Sequence, residues 1–225
     1  MDAQTADALV RKLALFSVPG CFNPYAEAGA DEHVSSRRRR LTRWLTVDRV
    51  RLILVTDYLS RGSSPISGIP LVSESLMRSG VLERIAPEDE HNESGISHAD
   101  VTSLAIWNTL IPINGDREIL TWALAPLVMP KESSEFEKSA AADQRSVSLF
   151  RVLVAAHPDA EIVAVSSDSH GILSRWISGG SLRLNAPLHE LPPPTRVDAE
   201  AVNDSLQALY EGAAVTRSRA RVNQR

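Results

Sequence analysis

The aliphatic run Leu52, Ile53, Leu54, Val55 ends at Thr56-Asp57, and a loop rich in Ser and Gly carries the chain on to Gly68-Ile69-Pro70. Such a run reads as a strand buried on both faces, so Asp57 falls at the carboxyl end of a strand, where the crevice of an open α/β sheet lies. A carboxylate there can take a proton or stabilise developing positive charge, and small residues beside it let backbone N–H groups approach a ligand or phosphate. A turn or helix cap is the structural alternative for the same acid. Asn108 ends a second apolar run, residues 104–108, and its amide offers both a donor and an acceptor, with a strand-end turn as the alternative.

Other chemistries find less support. The six histidines do not converge in sequence on a metal-ligand spacing, and Asp168-Ser169-His170 reads as a helix start rather than a ligand pair. Cys21 is the single cysteine, which excludes an intramolecular disulfide and any four-cysteine cluster within one chain. Neither a G-x-S-x-G elbow nor a P-loop is present. No metal and no cofactor is expected.

With 225 residues, 43% hydrophobic and 23% charged, the chain fits one domain, 1–225, that buries a sizeable core. No apolar run approaches the roughly 20 residues of a membrane span, and the amino terminus lacks a basic signal region, so a cytoplasmic protein is expected. The formal net charge of −4 argues against a nucleic-acid binder that works by bulk positive potential. The charges are segregated, however: Arg37, Arg38, Arg39, Arg40 and Arg43 form one basic cluster and Arg217, Arg219, Arg221 and Arg225 a second, within a tail at 214–225 expected to be flexible. Of the 24 basic residues only Lys12, Lys131 and Lys138 are lysines, so bidentate pairing with phosphate is chemically available.

The elements that must position these groups follow from periodicity and punctuation. Helices are expected over 3–16, over 31–45 with Asp31 as cap and the arginines on one face, from Ser73 to Ser79, from Asp143 to Ala156, over 167–177, and over 197–209 after Pro192-Pro193-Pro194. Strands are expected at 52–55, 104–108, 162–165 and 181–184, with 112–140 an irregular excursion punctuated by Gly115, Pro126 and Pro130. This alternation predicts a three-layer α/β/α sandwich around a central, mostly parallel four-stranded sheet.

Cys21-Phe22-Asn23-Pro24-Tyr25-Ala26, the arginine-rich segment 37–45, the acid at Asp57, Ser67-Gly68-Ile69-Pro70-Leu71-Val72-Ser73-Glu74 and Ala105-Ile106-Trp107-Asn108 occur in an order that resembles the uracil-DNA glycosylase superfamily, most closely a bacterial single-domain branch. Its VGEAPG motif lies over residues 55–60, TGIPFTSE over 67–74, WNAFPFHP over the segment from Trp107, and a VVAVG strand over 162–165. The resemblance covers about residues 21–189. Thr56, Tyr58, Leu59 and Ser60 replace small and rigid residues of the first motif, and Leu71 stands at the place of the base-stacking Phe. A smaller aliphatic wall weakens stacking and enlarges the pocket, as a base with a bulky substituent requires.

The resemblance implies a glycosylase that cleaves an N-glycosidic bond in DNA, with DNA as partner and a monomeric protein. It implies Asp57 to orient water and stabilise an oxocarbenium-like sugar and Asn108 to meet the extruded base. The leaving-group donor would be His189, with Asn185 as the alternative at that position. Tyr58, Leu71, Asn23 and Tyr25 would line the base pocket, and Arg61, Ser63, Ser64, Ser73 and Arg40 would contact phosphates. No lysine lies near a motif, so strand cleavage through a Schiff base is not expected and a monofunctional enzyme follows. The changed pocket suggests a modified base, such as glucosylated hydroxymethylcytosine in antiphage defence. The alternatives are a catalytically degenerate module that recognises modified or damaged DNA, and a uracil-DNA repair glycosylase.

Overall fold

The computed structural model describes residues 1–26, 33–59, 67–82, 84, 101–113, 117–128, 144–191 and 199–222. Among these, seven α-helices surround a four-stranded parallel sheet of order β2-β1-β3-β4. The three-layer α/β expectation therefore holds.

Helix α1 (Ala3–Ala14) starts where the Asp2 carboxylate accepts from the Thr5 N–H at 2.8 Å, and it buries Ala6, Leu9, Val10 and Leu13 along one stripe. Helix α2 (Val34–Leu45) begins later than expected, with His33 at the N-cap position, and Asp31 lies outside the described residues. It buries Leu41, Trp44 and Leu45, but also Arg37 and Arg40.

Strand β1 (Leu52–Leu59) runs four residues past the aliphatic core. Leu52 to Val55 are buried on both faces, flanked by β2 (Ile119–Val128) on one side and β3 (Glu161–Ala164) on the other. Pairing with β3 stops at Val55–Ala164, whereas pairing with β2 continues through Tyr58–Ala125. Asp57 thus projects beyond the end of β3. The chain leaves β3 at Val165, whose N–H donates to the Val55 carbonyl at 2.9 Å, and turns into the next helix directly beside Asp57.

Three expectations are corrected. The strand beside β1 is Ile119–Val128, inside the stretch read as an irregular excursion. All but the last of its residues are buried, so it lacks the alternation of a half-exposed strand. Its register breaks opposite Tyr58 and Leu59, where Pro126 has no N–H to give the ladder. Residues 104–108 belong instead to α4 (Val101–Leu110), whose buried Ser103, Ile106, Trp107 and Leu110 recur at helical spacing. The fourth strand is β4 (Leu188–Glu190), past Pro187, and residues 181–184 form the turn before it.

The remaining helices are α3 (Glu74–Arg78), α5 (Gln144–Ala156), α6 (Ser167–Ser178) and α7 (Ala199–Val222). The last continues well past residue 209, into the segment read as a tail. Helix α6 lies on the sheet face that carries Asp57, and α2 lies on the opposite face, where the Trp44 indole donates to Thr121 Oγ1 at 3.1 Å. Thr121 is level with Leu54, and successive strand residues alternate between faces. Trp107 of α4 meets Trp44 edge to face, with ring centroids 5.8 Å apart. On the other side Phe150 of α5 packs on Trp176 of α6. No helix among the described residues is long and apolar enough to cross a membrane.

Candidate active site

Asp57 is half-buried and meets the amino end of α6. Ser166 is the N-cap of that helix: its Oγ accepts from the Ser169 N–H, the Ser169 side chain accepts from the Ser166 N–H, and Ser166 Oγ donates to Asp57 Oδ1 at 2.5 Å. One serine therefore closes the helix and holds the acid. Burial raises the Asp57 pKa above the ordinary carboxylate value and Asp168 pushes it the same way, while the Ser166 and Ser169 hydroxyls and the Asp57 backbone N–H oppose the shift. The result is a desolvated carboxylate fixed by a hydrogen bond at the carboxyl end of the central strand.

Two further groups share this face. Glu190 of β4 is level with Ala164 and Val55, which puts it on the Asp57 side of the sheet, and its carboxylate lies 3.4 Å from Nδ1 of His170 in the first turns of α6. Sequence reasoning assigned no role to Ser166 or Glu190 and placed His170 only in a helix start. The S-x-x-S capping spacing at Ser166 and Ser169 was the available signal for the first.

His189 stands elsewhere. It is level with Val163 and Leu54, three residues or about 10 Å before Asp57 along the strand direction, and on the opposite face. Its Nε2 lies 2.8 Å from Glu161 Oε2 at the start of β3. Asn185, the alternative, is exposed in the turn after α6 and lines an open cleft with Arg151 and Arg183. That cleft flanks the amino ends of β3 and β4, at the far edge of the sheet from Asp57. Neither residue is brought to the acid.

Asn108 is exposed on α4 rather than at a strand end. Its neighbour Trp107 donates to the Leu71 carbonyl at 2.7 Å, and Ser103, one turn earlier, donates to the same oxygen at 2.5 Å. These two donors pin Leu71 at φ 59°, a left-handed conformation that costs a residue with a side chain about 1–2 kcal/mol. The Leu71 side chain is itself buried. Tyr58 is half-buried on the sheet face opposite Asp57.

Most of the other expected contact residues serve the scaffold. Asn23 is buried, and its Nδ2 donates to the Leu13 and Phe16 carbonyls while Oδ1 accepts from the Tyr25 N–H. Tyr25, 1% exposed, donates its hydroxyl to the Gly68 carbonyl at 2.9 Å, and burial pushes that hydroxyl's pKa up. Arg37 donates to the Pro24 carbonyl and Arg38 to that of Tyr25. Gly68 has φ 71°, and a Cβ there would come within 2.7 Å of Arg37 Cβ, so only glycine fits. Arg40 is 2% exposed with Nη1 against Met77 Sδ, and Ser73 is the buried N-cap of α3. Both are removed from the surface where a phosphate would bind. Arg61, Ser63 and Ser64 lie outside the described residues. No group of three or more metal-ligating side chains occurs among the described residues.

The molecule is thus a three-layer α/β sandwich on a parallel sheet, with its candidate acid at the carboxyl end of the central strand β1. The same architecture is found in SMUG2 of Pedobacter heparinus, a uracil-DNA glycosylase-family member, at a TM-score of 0.61 over 96% of this chain and 98% of that one. Sequence identity is 12%, so the likeness is one of fold. No family model and no curated protein matches the sequence.

Proposed function

We propose that the chain is a monofunctional DNA glycosylase that hydrolyses the bond between deoxyribose and a modified, bulky base, with Asp57 as its catalytic carboxylate. The observation that carries this reading is the Asp57 carboxylate, desolvated and fixed by Ser166 at the carboxyl end of β1, in a fold like that of a glycosylase-family protein. As the C1′–N bond breaks, its electron pair leaves with the base and positive charge develops on the sugar. An ionised, poorly hydrated Asp57 stabilises that charge and accepts a proton from the water that adds to C1′. Asn108, exposed on α4 beside the Leu71 turn, would offer its amide to the extruded base, and the reading of a bulky base rests on Leu71 standing at the place of the stacking Phe in the resemblance, its own side chain being packed in the core. His189 is given no part, because it is engaged with Glu161 on the other face. A role in antiphage defence is part of the proposal for a base such as glucosylated hydroxymethylcytosine.

Mass spectrometry of bases released from a panel of modified and unmodified genomic DNAs tests the proposal. A modified base released by the protein, and not by Asp57→Asn, is the expected result. Release of uracil alone would return the protein to repair. The separation of His189 and Asn185 from the acid favours a second reading, a degenerate module that binds unusual DNA without cleaving it. Tight, salt-sensitive binding with no base released from any DNA would decide for that reading.

A further inference from the structure

Phe22 is 44% exposed, whereas every other described aromatic ring is buried or half-buried. Its backbone is fixed on both sides. The Phe22 N–H donates to the Val128 carbonyl at 3.1 Å and the Val128 N–H donates to the Phe22 carbonyl at 2.8 Å, an antiparallel bridge onto the end of β2. The next residue, Asn23, ties this point back to the Leu13 and Phe16 carbonyls, which closes residues 13–23 into one loop. Within the loop the Cys21 N–H donates to the Val18 carbonyl, and Gly20 takes φ 79°. Leu15, 80% exposed, stands at the other end of the closed segment, and the Arg145 guanidinium lies 5.6 Å from the Phe16 ring centroid.

The place of this ring is set by the sheet. Val128 is the register partner of Leu59, two residues beyond Asp57 on β1. Phe22 is therefore held two strand spacings from β1, about 10 Å, at the same carboxyl edge as Asp57. That span equals about three base steps of a DNA strand at ~3.4 Å each.

We infer that Phe22 is a preorganised stacking platform for a nucleobase of the DNA strand near the one whose base is cleaved. The inference rests on the proposed DNA substrate. A ring held on a fixed backbone loses little freedom on binding, and an aromatic face accepts any base because every base has a π-face. The Arg145 guanidinium over the Phe16 ring brings positive charge to the same loop.

The test uses Phe22→Trp as a reporter and Phe22→Ser as a deletion. The native tryptophans, Trp44, Trp107, Trp122 and Trp176, are all buried, so an indole at position 22 dominates quenching by a ligand. Fluorescence of the Phe22→Trp variant and anisotropy of a labelled oligonucleotide, read in parallel on the full chain, should both saturate at the same DNA concentration. Phe22→Ser should weaken binding roughly 5- to 150-fold, the fold-change carried by one base–aromatic stack. Binding by anisotropy with no quenching of the reporter indole, or an affinity of Phe22→Ser within twofold of the parent, overturns the platform and leaves the DNA reading standing. Absence of any DNA binding overturns both. A blue shift that grows with protein concentration without DNA would assign the ring to self-association instead.

Discussion

Asp57 carries the sharpest consequences at the scale of a single residue. Its pKa is raised by burial, so between the unfolded value and the folded one the native state holds more protons than the unfolded state, and stability falls as pH rises through that window. Above the folded pKa the whole cost is present. Asp57→Asn removes the charge and keeps an oxygen that can accept from Ser166. It should abolish base release and yet raise the thermal midpoint at pH 7, with the gain shrinking as pH falls toward the unfolded carboxylate value. A thermal melt series across pH checks the sign. Ser166→Ala makes the complementary prediction. It deletes an N-cap, at a cost of about 1 kcal/mol, and also a donor that lowers the Asp57 pKa, so the acid limb of the pH–rate profile should move to higher pH. His189→Ala should leave the rate of base release within about twofold while weakening the fold slightly through the loss of Glu161's partner. The placement of Asp57 at the end of a buried strand was legible in the sequence because an aliphatic run ending in an acid is a local pattern. Its partner Ser166 lies more than a hundred residues away, and only the parallel pairing of β1 with β3 brings the two together.

At the scale of elements, the segment from Ser67 to Ser73 is held by donors from the loop carrying Tyr25, from its own Ser67 and from α4. The Tyr25 hydroxyl donates to the Gly68 carbonyl, Ser67 Oγ donates to the Ile69 carbonyl, and Ser103 and Trp107 share the Leu71 carbonyl. Trp107→Phe keeps most of the ring packing and removes one of those donors, so it should cost about 1 kcal/mol of stability, measured by denaturant unfolding, and raise KM more than it lowers kcat. The helices were legible where amphipathic spacing and a cap agreed, as at α1 and α6. The strand β2 and the helix α4 were not, for one shared reason. ILTWALAPLV is nearly all apolar, and in VTSLAIWNTL the polar residues do not gather on one face, Ser103 being buried, so neither shows a clear hydrophobic period in the sequence and only the packing partner decides between a helix and a strand buried on both faces. That exchange also moved Asn108 from a strand end to a helix surface, while the Asn23 and Tyr25 side chains turned out to be the pins of a loop rather than the lining of a pocket.

For the whole molecule the decisive quantity is where the positive charge goes. The chain carries a formal charge of −4, and three arginines of its densest basic cluster, Arg37, Arg38 and Arg40, are turned toward backbone carbonyls and Met77 of the same chain. Binding to DNA should accordingly lean on shape and stacking more than on phosphate neutralisation. A plot of log affinity against log salt should have a slope shallower than about −4, which corresponds to no more than about four neutralised phosphates. A sequence reading sees five arginines in seven residues and assigns them a surface, because burial of a guanidinium depends on carbonyls supplied from distant loops. On the proposed reading Asp57, held by Ser166 at the carboxyl edge of the sheet, breaks the glycosidic bond of a modified base. The most direct measurement counts abasic sites formed in DNA carrying glucosylated hydroxymethylcytosine by the wild type, Asp57→Asn and His189→Ala. Abasic sites from the wild type and His189→Ala, with none from Asp57→Asn, are predicted; equal yields from all three, or loss in His189→Ala alone, would contradict the account.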